Sequence, residues 1–338
     1  MSLPKVSIII PCRNEIKYIS KNIDSILAQN YKGELEVLIV DGMSTDGTRE
    51  AAVAYDNPKV RLIDNPHQFT PHALNIGVDN AKGDIFIILG GHAFLDVSFV
   101  KKNVEILKQD LTVGCSGGQI LNIYENDTGE TISKAMSSVF GVGNATFRTG
   151  GKADYVDTVA FGAYYKNVHY KIGGFDEDLV RNQDDEYNFK VTKVGYKIYF
   201  EPKIISHYYV RGSISKLYKQ YYQYGYWKVY VNKKHKTITT IRQLVPLFFV
   251  LGLIGGTILS VIIPWFYWLF IGGIALYVLT ALFFGIRISK NLREGLKVAV
   301  IFPILHFSYG YGYLIGIINF VLFGKKPSER SKKSTRVD

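Results

Sequence analysis

Residues 244–286 carry no charged side chain, and no other feature restricts the folding of this chain as severely. Pro264, flanked by Trp265 and Trp268, divides the stretch into segments 244–263 and 265–286. At a rise of about 1.5 Å per residue, each is long enough to cross a hydrocarbon core. Two consecutive apolar stretches of this length exceed what a soluble core holds. A third apolar segment, 298–323, is interrupted by Pro303, His306 and several glycines. Basic clusters at 233–242, 287–297 and 325–336 all belong on the cytoplasmic side by the positive-inside rule. The first two segments are then expected to form an in–out–in hairpin. The third is expected to be re-entrant or interfacial, a full span being the weaker alternative because it would put the basic tail outside.

The net charge of +11 is unevenly placed. From residue 213 onward 17 Lys and Arg face 3 acids, which leaves 23 bases against 26 acids in the first 212 residues. The basic excess therefore travels with the apolar segments and points to anionic lipid, not to nucleic acid. Between residues 215 and 236, six tyrosines and Trp227 are interleaved with lysines, with no acid. Base stacking is one use of such a pattern. Next to membrane segments, an amphipathic interfacial helix with rings at headgroup depth is the better one. The two cysteines, Cys12 and Cys115, lie in or beside apolar strand patterns and read as reduced core thiols of a cytosolic domain. The first apolar run, 6–10, is too short for a leader peptide.

Residues 4–200 alternate strand-like runs (6–10, 36–40, 60–63, 85–89) with helical spacing (15–29, 46–55, 70–80, 97–109). Such alternation predicts an α/β, doubly wound, mostly parallel sheet. Further on, a helix over 184–194 precedes a strand over 197–201. Within VLIVDGMSTDGT (37–48), a four-residue apolar run leads into Asp41, and Thr45 or Asp46 is placed to cap the following helix. Asp41 thus stands at the carboxyl end of a central strand, where open α/β sheets bind ligands. A carboxylate there accepts from a ribose or a uracil imide, or it only closes the turn.

The sequences PCRNE (11–15), IVDGMSTDGT (39–48), ALNIG (73–77) and AKGDIFIIL (81–89), in that order, resemble the N-terminal half of family 2 of the glycosyltransferases, which have the GT-A fold. The segments VDT (156–158), FG (161–162), GGFDE (173–177), NQDDEYN (182–188), YVRGS (209–213), QYYQYGYWK (220–228) and HFSYGYG (306–312) follow. Together they resemble the membrane-associated succinoglycan-biosynthesis type of glucosyltransferase, over residues 4–323. The resemblance implies an inverting enzyme at the cytoplasmic face of the inner membrane. It would move one sugar from a nucleotide-diphospho sugar, a UDP-sugar first of all, to a polyprenyl-diphosphate-linked saccharide in cell-surface or exopolysaccharide synthesis. The chain then divides into a cytosolic GT-A domain (1–212), an interfacial region (213–242), membrane segments (243–323) and a basic cytosolic tail (324–338). A catalytically silent membrane scaffold on the same fold is the alternative. A processive polysaccharide synthase is a further one, weakened because residues 223–227 lack the Arg of the Gln-x-x-Arg-Trp pattern.

By the same resemblance, Asp184 at a helix start is the general base, with Asp185 its runner-up and Glu186 capping or orienting the helix. Pro11, Asn14, Glu15, Asp41 and Ser44 hold the nucleoside, and Asn75 and Asp84 are assigned to the same sheet edge. Gly42 replaces the second of two successive acids usual in the family. The metal-binding Asp-x-Asp of the family reads Gly90-Gly91-His92 here, so a divalent cation, Mn or Mg, would depend on His92 and on His207. Arg148, Lys152, Arg181 and Arg211 are cations that could share the phosphate charge. Asp157 and Trp227 join Arg148, Arg181 and Arg211 as acceptor-side candidates. Asn126 and Asn144 match glycosylation acceptors only by chance on a cytosolic domain.

Overall fold

The computed structural model describes residues 3–327, so most of the expected basic tail lies outside the described residues. Nine strands form one sheet: β1 (Val6–Cys12), β2 (Leu35–Asp41), β3 (Val60–Asp64), β4 (Ile85–Ile88), β5 (Ala93–Leu95), β6 (Val113–Ile123), β7 (Asp154–Val156), β8 (Ala160–Tyr165) and β9 (Lys197–Tyr209). Their order is β3-β2-β1-β4-β8-β6-β9-β5, with β7 also on β9. The first four strands read from the sequence are parallel to one another, whereas the fifth, 197–201, opens β9 and pairs antiparallel. Beyond β4 every registered pairing is antiparallel, so the sheet is mixed.

The central strands are apolar on both faces because helices cover both. Ile8, Ile9 and Ile10 of β1 and Val37 to Val40 of β2 are wholly buried. On one face the helix Ile19–Leu27 presents Ile19, Ile23 and Ile26 at helical spacing, and Phe99–Gln109 presents Phe99, Val100, Val104 and Leu107. The first helix begins four residues later than its periodicity suggests. The amides of Glu15 and Ile16 are taken by the Thr48 hydroxyl and the Asp46 carboxylate, so residues 15–18 form a turn instead. Thr70–Asn80 forms as expected, with Pro71 in its first turn.

The chain packs as two units. Of the described residues, one holds those up to Leu121 together with Gly150–Tyr209, and the other holds Asn122–Thr149 together with 210–327. The sequence reading kept 122–149 inside a domain spanning 1–212. In the structure Ile132, Ala135 and Met136 of the helix Asp127–Met136 share one face and pack with Leu217, Tyr221, Val298, Phe302 and Leu305. Lys134 of the same helix pairs with Glu294 and Glu130. Asn126, one of the two chance glycosylation matches, caps this helix by accepting from the Gly129 amide at 2.7 Å.

In the second unit, Ile241–Ile262, Pro264–Arg287 and Leu292–Leu322 are each long and apolar enough to cross a membrane. The third continues helically through Pro303 over 31 residues. The half-buried polar group that interrupts its sequence is employed: His306 Nδ1 lies 2.7 Å from the Tyr277 hydroxyl and Nε2 lies 2.8 Å from the Phe140 carbonyl oxygen. The helix Ile214–His235 is less interfacial than its composition implies. Tyr221, Gln223, Tyr226, Trp227, Lys228 and Val229 are all buried. Glycines make this possible. A Cβ on Gly225 would lie 2.0 Å from the Tyr309 carbonyl oxygen, and one on Gly312 would lie 2.0 Å from that of Tyr222. The two helices thus touch backbone to backbone, as small-residue stripes permit in membranes.

Gly225→Ala must force these helices apart, with an expected cost of about 1–3 kcal/mol. The thermal midpoint of the detergent-solubilised protein should fall accordingly. Gly252→Ala, where nothing lies within 4 Å, should leave it unchanged. Equal midpoints for the two variants would count against the close packing.

Candidate functional site

Parallel register aligns the strand ends on which the site is built. Cys12 pairs with Asp41, and Asp41 pairs with Asp64, so the loops after β1, β2 and β3 leave the sheet side by side. The first two loops are fastened reciprocally. The Asn14 amide donates to Ser44 Oγ at 2.8 Å, and the Thr45 amide donates to Asn14 Oδ1 at 2.9 Å. Glu15 N donates to Thr48 Oγ1 at 2.8 Å, and Ile16 N donates to Asp46 Oδ2 at 3.1 Å. Asp46 also accepts from the Thr48 amide and hydroxyl, but the helix Thr48–Val53 has Gly47 as its N-cap, so the cap expected at Thr45 or Asp46 falls to Gly47 and Asp46 braces the turn before it. Burial opposes ionisation of Asp46, but these hydrogen bonds prevail and hold it below the usual carboxylate range. Asn14 and Met43 turn the chain in the left-handed region, at φ of 56° and 59°. Pro11 lies within β1, opposite Val40.

Asp41 is wholly buried and heavily engaged. It accepts from the Ser44 amide at 2.9 Å, the Ser44 hydroxyl, Arg49 Nη1 at 2.7 Å and the Cys12 thiol at 3.8 Å. A carboxylate offers about four acceptor positions, so none is left over for an imide N–H. This corrects the expectation of a direct nucleoside contact, and the interposed group is Arg49. Its other nitrogen reaches Asp64 Oδ1 at 2.7 Å. Neither Arg49 nor Asp64 stood out in the sequence. The pairing of β2 with β3 brings them together, and a single-strand motif does not show it.

On the other side of β1, the loop after β4 carries Gly90, Gly91 and His92. His92 Nδ1 lies 2.9 Å from Glu15 Oε1, which joins a residue expected at the nucleoside to one expected at the metal. A Cβ on Gly91 would lie 2.9 Å from Glu15 Cγ. His207 faces elsewhere. In the β5–β9 register it opposes Phe94, and its ring stacks on that ring at 4.5 Å, whereas His92 packs against Tyr208. Adjacent strand residues point to opposite faces, so the two histidines do not converge as the metal reading requires. Among the described residues no group of three or more His, Cys, Asp or Glu is arranged to hold a metal ion. The protein's own donors at this edge are Glu15 and His92.

The helix Gln183–Lys193 displays its acids by anchoring the turn behind them. Asp184 is exposed and Asp185 half-buried, while Glu186, Tyr187 and Asn188 are buried. Three acids in the first turn suit the positive end of the helix dipole. The Asp185 amide donates to Asp184 Oδ1 at 2.9 Å. Asn188 accepts from the Tyr164 hydroxyl at 2.8 Å and donates to Thr158 Oγ1 at 2.8 Å and to the Val159 carbonyl. It therefore ties the helix to β8 and to the segment that follows Asp157. Tyr187 stacks on Phe175 at 3.9 Å, and its hydroxyl meets His169 Nδ1 at 2.7 Å. Glu186 pairs with Lys190 at 3.7 Å inside the helix, in keeping with an orienting role. Arg181 stands just before this helix, separated from it by Asn182 at φ 62°.

Other expected site residues are placed elsewhere. Asp84 precedes β4 and accepts from the Lys5 amide at 3.0 Å, so it lies at the amino edge of the sheet, opposite Asp41. The AKGD motif is structural there: the Lys82 amide donates to Glu36 at 2.6 Å, and the Gly83 amide donates to Ser7 Oγ at 2.8 Å. The Asn75 side chain is occupied by Phe175 N, Phe175 O and Glu177, and it clips the 173–177 loop to its helix. Arg148, in the turn Thr146–Thr149, and Arg211, before the helix Ile214–His235, belong to the second unit. So does Trp227, which is wholly buried among Tyr226, Tyr230 and Phe320. It packs the helix and presents no surface as an acceptor floor.

Residues 7–171 match the model of glycosyl transferase family 2. Over 328 residues the chain is 34% identical to a Methanococcus voltae dolichyl N-acetyl-α-D-glucosaminyl phosphate 3-β-D-2,3-diacetamido-2,3-dideoxy-β-D-glucuronosyltransferase, covering 93% of this chain and 97% of that one. It is 26% identical to the succinoglycan biosynthesis protein ExoA of Rhizobium meliloti, covering 93% and 95% respectively. Among solved structures, the mannosyltransferase PcManGT from Pyrobaculum calidifontis, in complex with GDP-Man and Mn²⁺, superposes with a TM-score of 0.59. That match has 20% identity and covers 96% of this chain and 88% of the other. The likeness establishes a GT-A-like fold followed by long apolar helices.

Burial holds the His169 imidazole below its ordinary range near 6.5. The unfolded chain thus takes up a proton that the folded one resists, and stability should decline as pH falls through the unfolded value. The thermal midpoint should drop by a few degrees between pH 7.5 and 5.5. His169→Gln, which keeps a hydrogen-bonding group toward Tyr187 without titrating, should flatten that decline. An unaltered slope would rule His169 out as its source.

Proposed function

The chain belongs to glycosyl transferase family 2, and we propose that it transfers one sugar, with inversion, from a nucleotide-diphospho sugar to a lipid-linked saccharide at the cytoplasmic membrane face. The coarser statement rests on its relatives: it is a family 2 glycosyltransferase of glycan or exopolysaccharide biosynthesis. The observation that carries the finer one is the helix Gln183–Lys193. It holds Asp184 outward on a turn whose other side chains are pinned by Asn188 and Tyr187.

In this reading Asp184 accepts the proton of the acceptor hydroxyl as its oxygen attacks the anomeric carbon. Direct displacement inverts that centre and releases the nucleoside diphosphate. Asp185 holds the turn through its amide. The nucleoside lies toward the loops after β1 and β2, where Asn14 and Ser44 shape the pocket and Asp41 positions Ser44 and Arg49. The diphosphate lies toward Gly90, Gly91 and His92. A divalent cation there would be held by Glu15 and His92, with its remaining ligands from phosphate oxygens and water, and it would neutralise charge on the leaving group. The Mn²⁺ of the structural neighbour supports a cation, and the dolichyl-phosphate acceptor of the Methanococcus relative supports a lipid carrier. Three apolar helices supply the membrane association, and their flanking basic clusters favour the cytoplasmic side.

Asp184→Asn should lower kcat with a lipid-linked acceptor by about 10²-fold or more, while nucleotide binding measured by calorimetry stays within a factor of two or so. Undiminished turnover in this variant would remove Asp184 as the base. Retained binding with lost turnover would separate the base from the donor pocket.

A further inference from the structure

The first two apolar helices form an antiparallel hairpin, in which Phe249 meets Tyr277 and Gly256 meets Phe270. The places where the third helix, Leu292–Leu322, touches them fix its course. It begins against the last turns of the second helix. A Cβ on Gly295 would lie 2.8 Å from Ile286 Cα, and one on Gly285 would lie 2.5 Å from the Gly295 carbonyl oxygen. Midway, His306 reaches the Tyr277 hydroxyl and packs beside Phe249, still on the open half of the hairpin. Fifteen residues beyond Gly295, a Cβ on Gly310 would lie 1.9 Å from the carbonyl oxygen of Pro246. Pro246 stands in the turn that opens the helix Val245–Ile262. A third helix running back through the membrane beside the second would rise about 22 Å over those fifteen residues. Gly310 would then stand level with Phe270 and Gly256. It stands instead at the open end, so the third helix runs across that end.

Its second half is also held by a helix that hydrocarbon would not accept. A Cβ on Gly225 or Gly312 would collide with the carbonyl of Tyr309 or Tyr222, and Lys233 Nζ donates to the Phe320 carbonyl. The helix Ile214–His235 therefore runs parallel to residues 309–320. It carries five lysines and no acid, and Lys219, Lys233 and Lys234 are exposed. Such side chains are not presented to a bilayer core.

Leu292, Leu296, Val300, Phe307 and Tyr311 are exposed and succeed one another by four, four, seven and four residues, so they line one side of the third helix. Its other side buries Val298, Phe302 and Leu305 against protein. Exposed cations flank the helix at both ends, Arg293 and Lys297 at the start and Lys325 and Lys326 beyond the finish. An apolar stripe with cations at both ends matches the boundary between acyl chains and anionic headgroups of a single leaflet.

We infer that this stripe is a lipid-binding surface lying flat in the leaflet at the open end of the hairpin, so that the chain crosses the membrane twice and not three times. The inference needs only the hairpin and stands apart from the sugar-transfer reading.

Single cysteines in the full-length protein test it, in sealed vesicles of phosphatidylcholine and phosphatidylglycerol. Native Cys12 and Cys115 are buried, so the wild type sets the labelling background. Fluorophores on Leu296→Cys and Tyr311→Cys should both be quenched by nitroxide lipids, most strongly with the nitroxide near the headgroup. Their depths should agree within about 5 Å, whereas a spanning helix would separate them by about 22 Å. The larger separation overturns the inference. So does an absence of lipid quenching at both positions, because protein, such as a second copy of this chain, would then cover the stripe. Lys326→Cys should react with a membrane-impermeant maleimide from the same side as Thr237→Cys and from the side opposite Ile262→Cys. Reaction of Lys326→Cys from the side of Ile262→Cys overturns the inference independently. All five positions are exposed, so the substitutions leave the packed interior intact.

Discussion

The hydrogen-bond register of β1, β2 and β3 is the constraint on which the candidate site depends. Pairing Cys12 with Asp41, and Asp41 with Asp64, ends three strands on one line. A slip of one residue would turn Asp41 to the opposite face and carry Ser44 and Arg49 with it. Side chains of β1 and β2 are buried on both faces, so a slipped strand would have to repack against both covering layers at once. The crossed contacts between residues 14–16 and 44–48 then follow from strand ends held side by side, not from affinity between two free loops.

Sequence made the scaffold legible where the physics is local. The parallel strands, the helix at 70–80 and the unbroken apolar stretch around Pro264 follow from patterns only a few residues long. What the sequence concealed was long-range. Asp84 follows Ala-Lys-Gly in a motif and looks like a site acid, yet strand direction places it at the amino edge. Arg49 and Asp64 look like ordinary surface charges until β3 pairs with β2. The grouping of 122–149 with the later helices depends on Phe302 and Leu305, which lie more than 150 residues away. Trp227 illustrates the same limit. Tyrosines and lysines around it suggest an interface, but the glycines of a distant helix admit the backbone contact that buries it.

The polar groups of the first unit divide by whether their demands are met within the protein. Asp41, Asn75, Asn188 and Glu36 are fully engaged by protein partners, and each holds one backbone segment against another. Those residues build the site. Groups that act on a ligand must keep capacity in reserve, and exposure or an unmet donor is the sign of it. Asp184 shows the first of these, exposed one residue ahead of a run of buried side chains.

The replacement of acids by Gly42 and Gly90 fits this division. The family resemblance implies acids at both positions, and in the proposed reaction glycines there leave less negative charge at the edge that takes the nucleoside diphosphate. At residue 90 the protein keeps Glu15 hydrogen-bonded to His92, which leaves the carboxylate partly satisfied and less repulsive to phosphate. At residue 42 a side chain would stand against Arg13. Both changes make the edge more positive without adding a cation. In the proposed reaction, glycines at these two positions would leave a metal at this edge less protein charge to offset than two acids would.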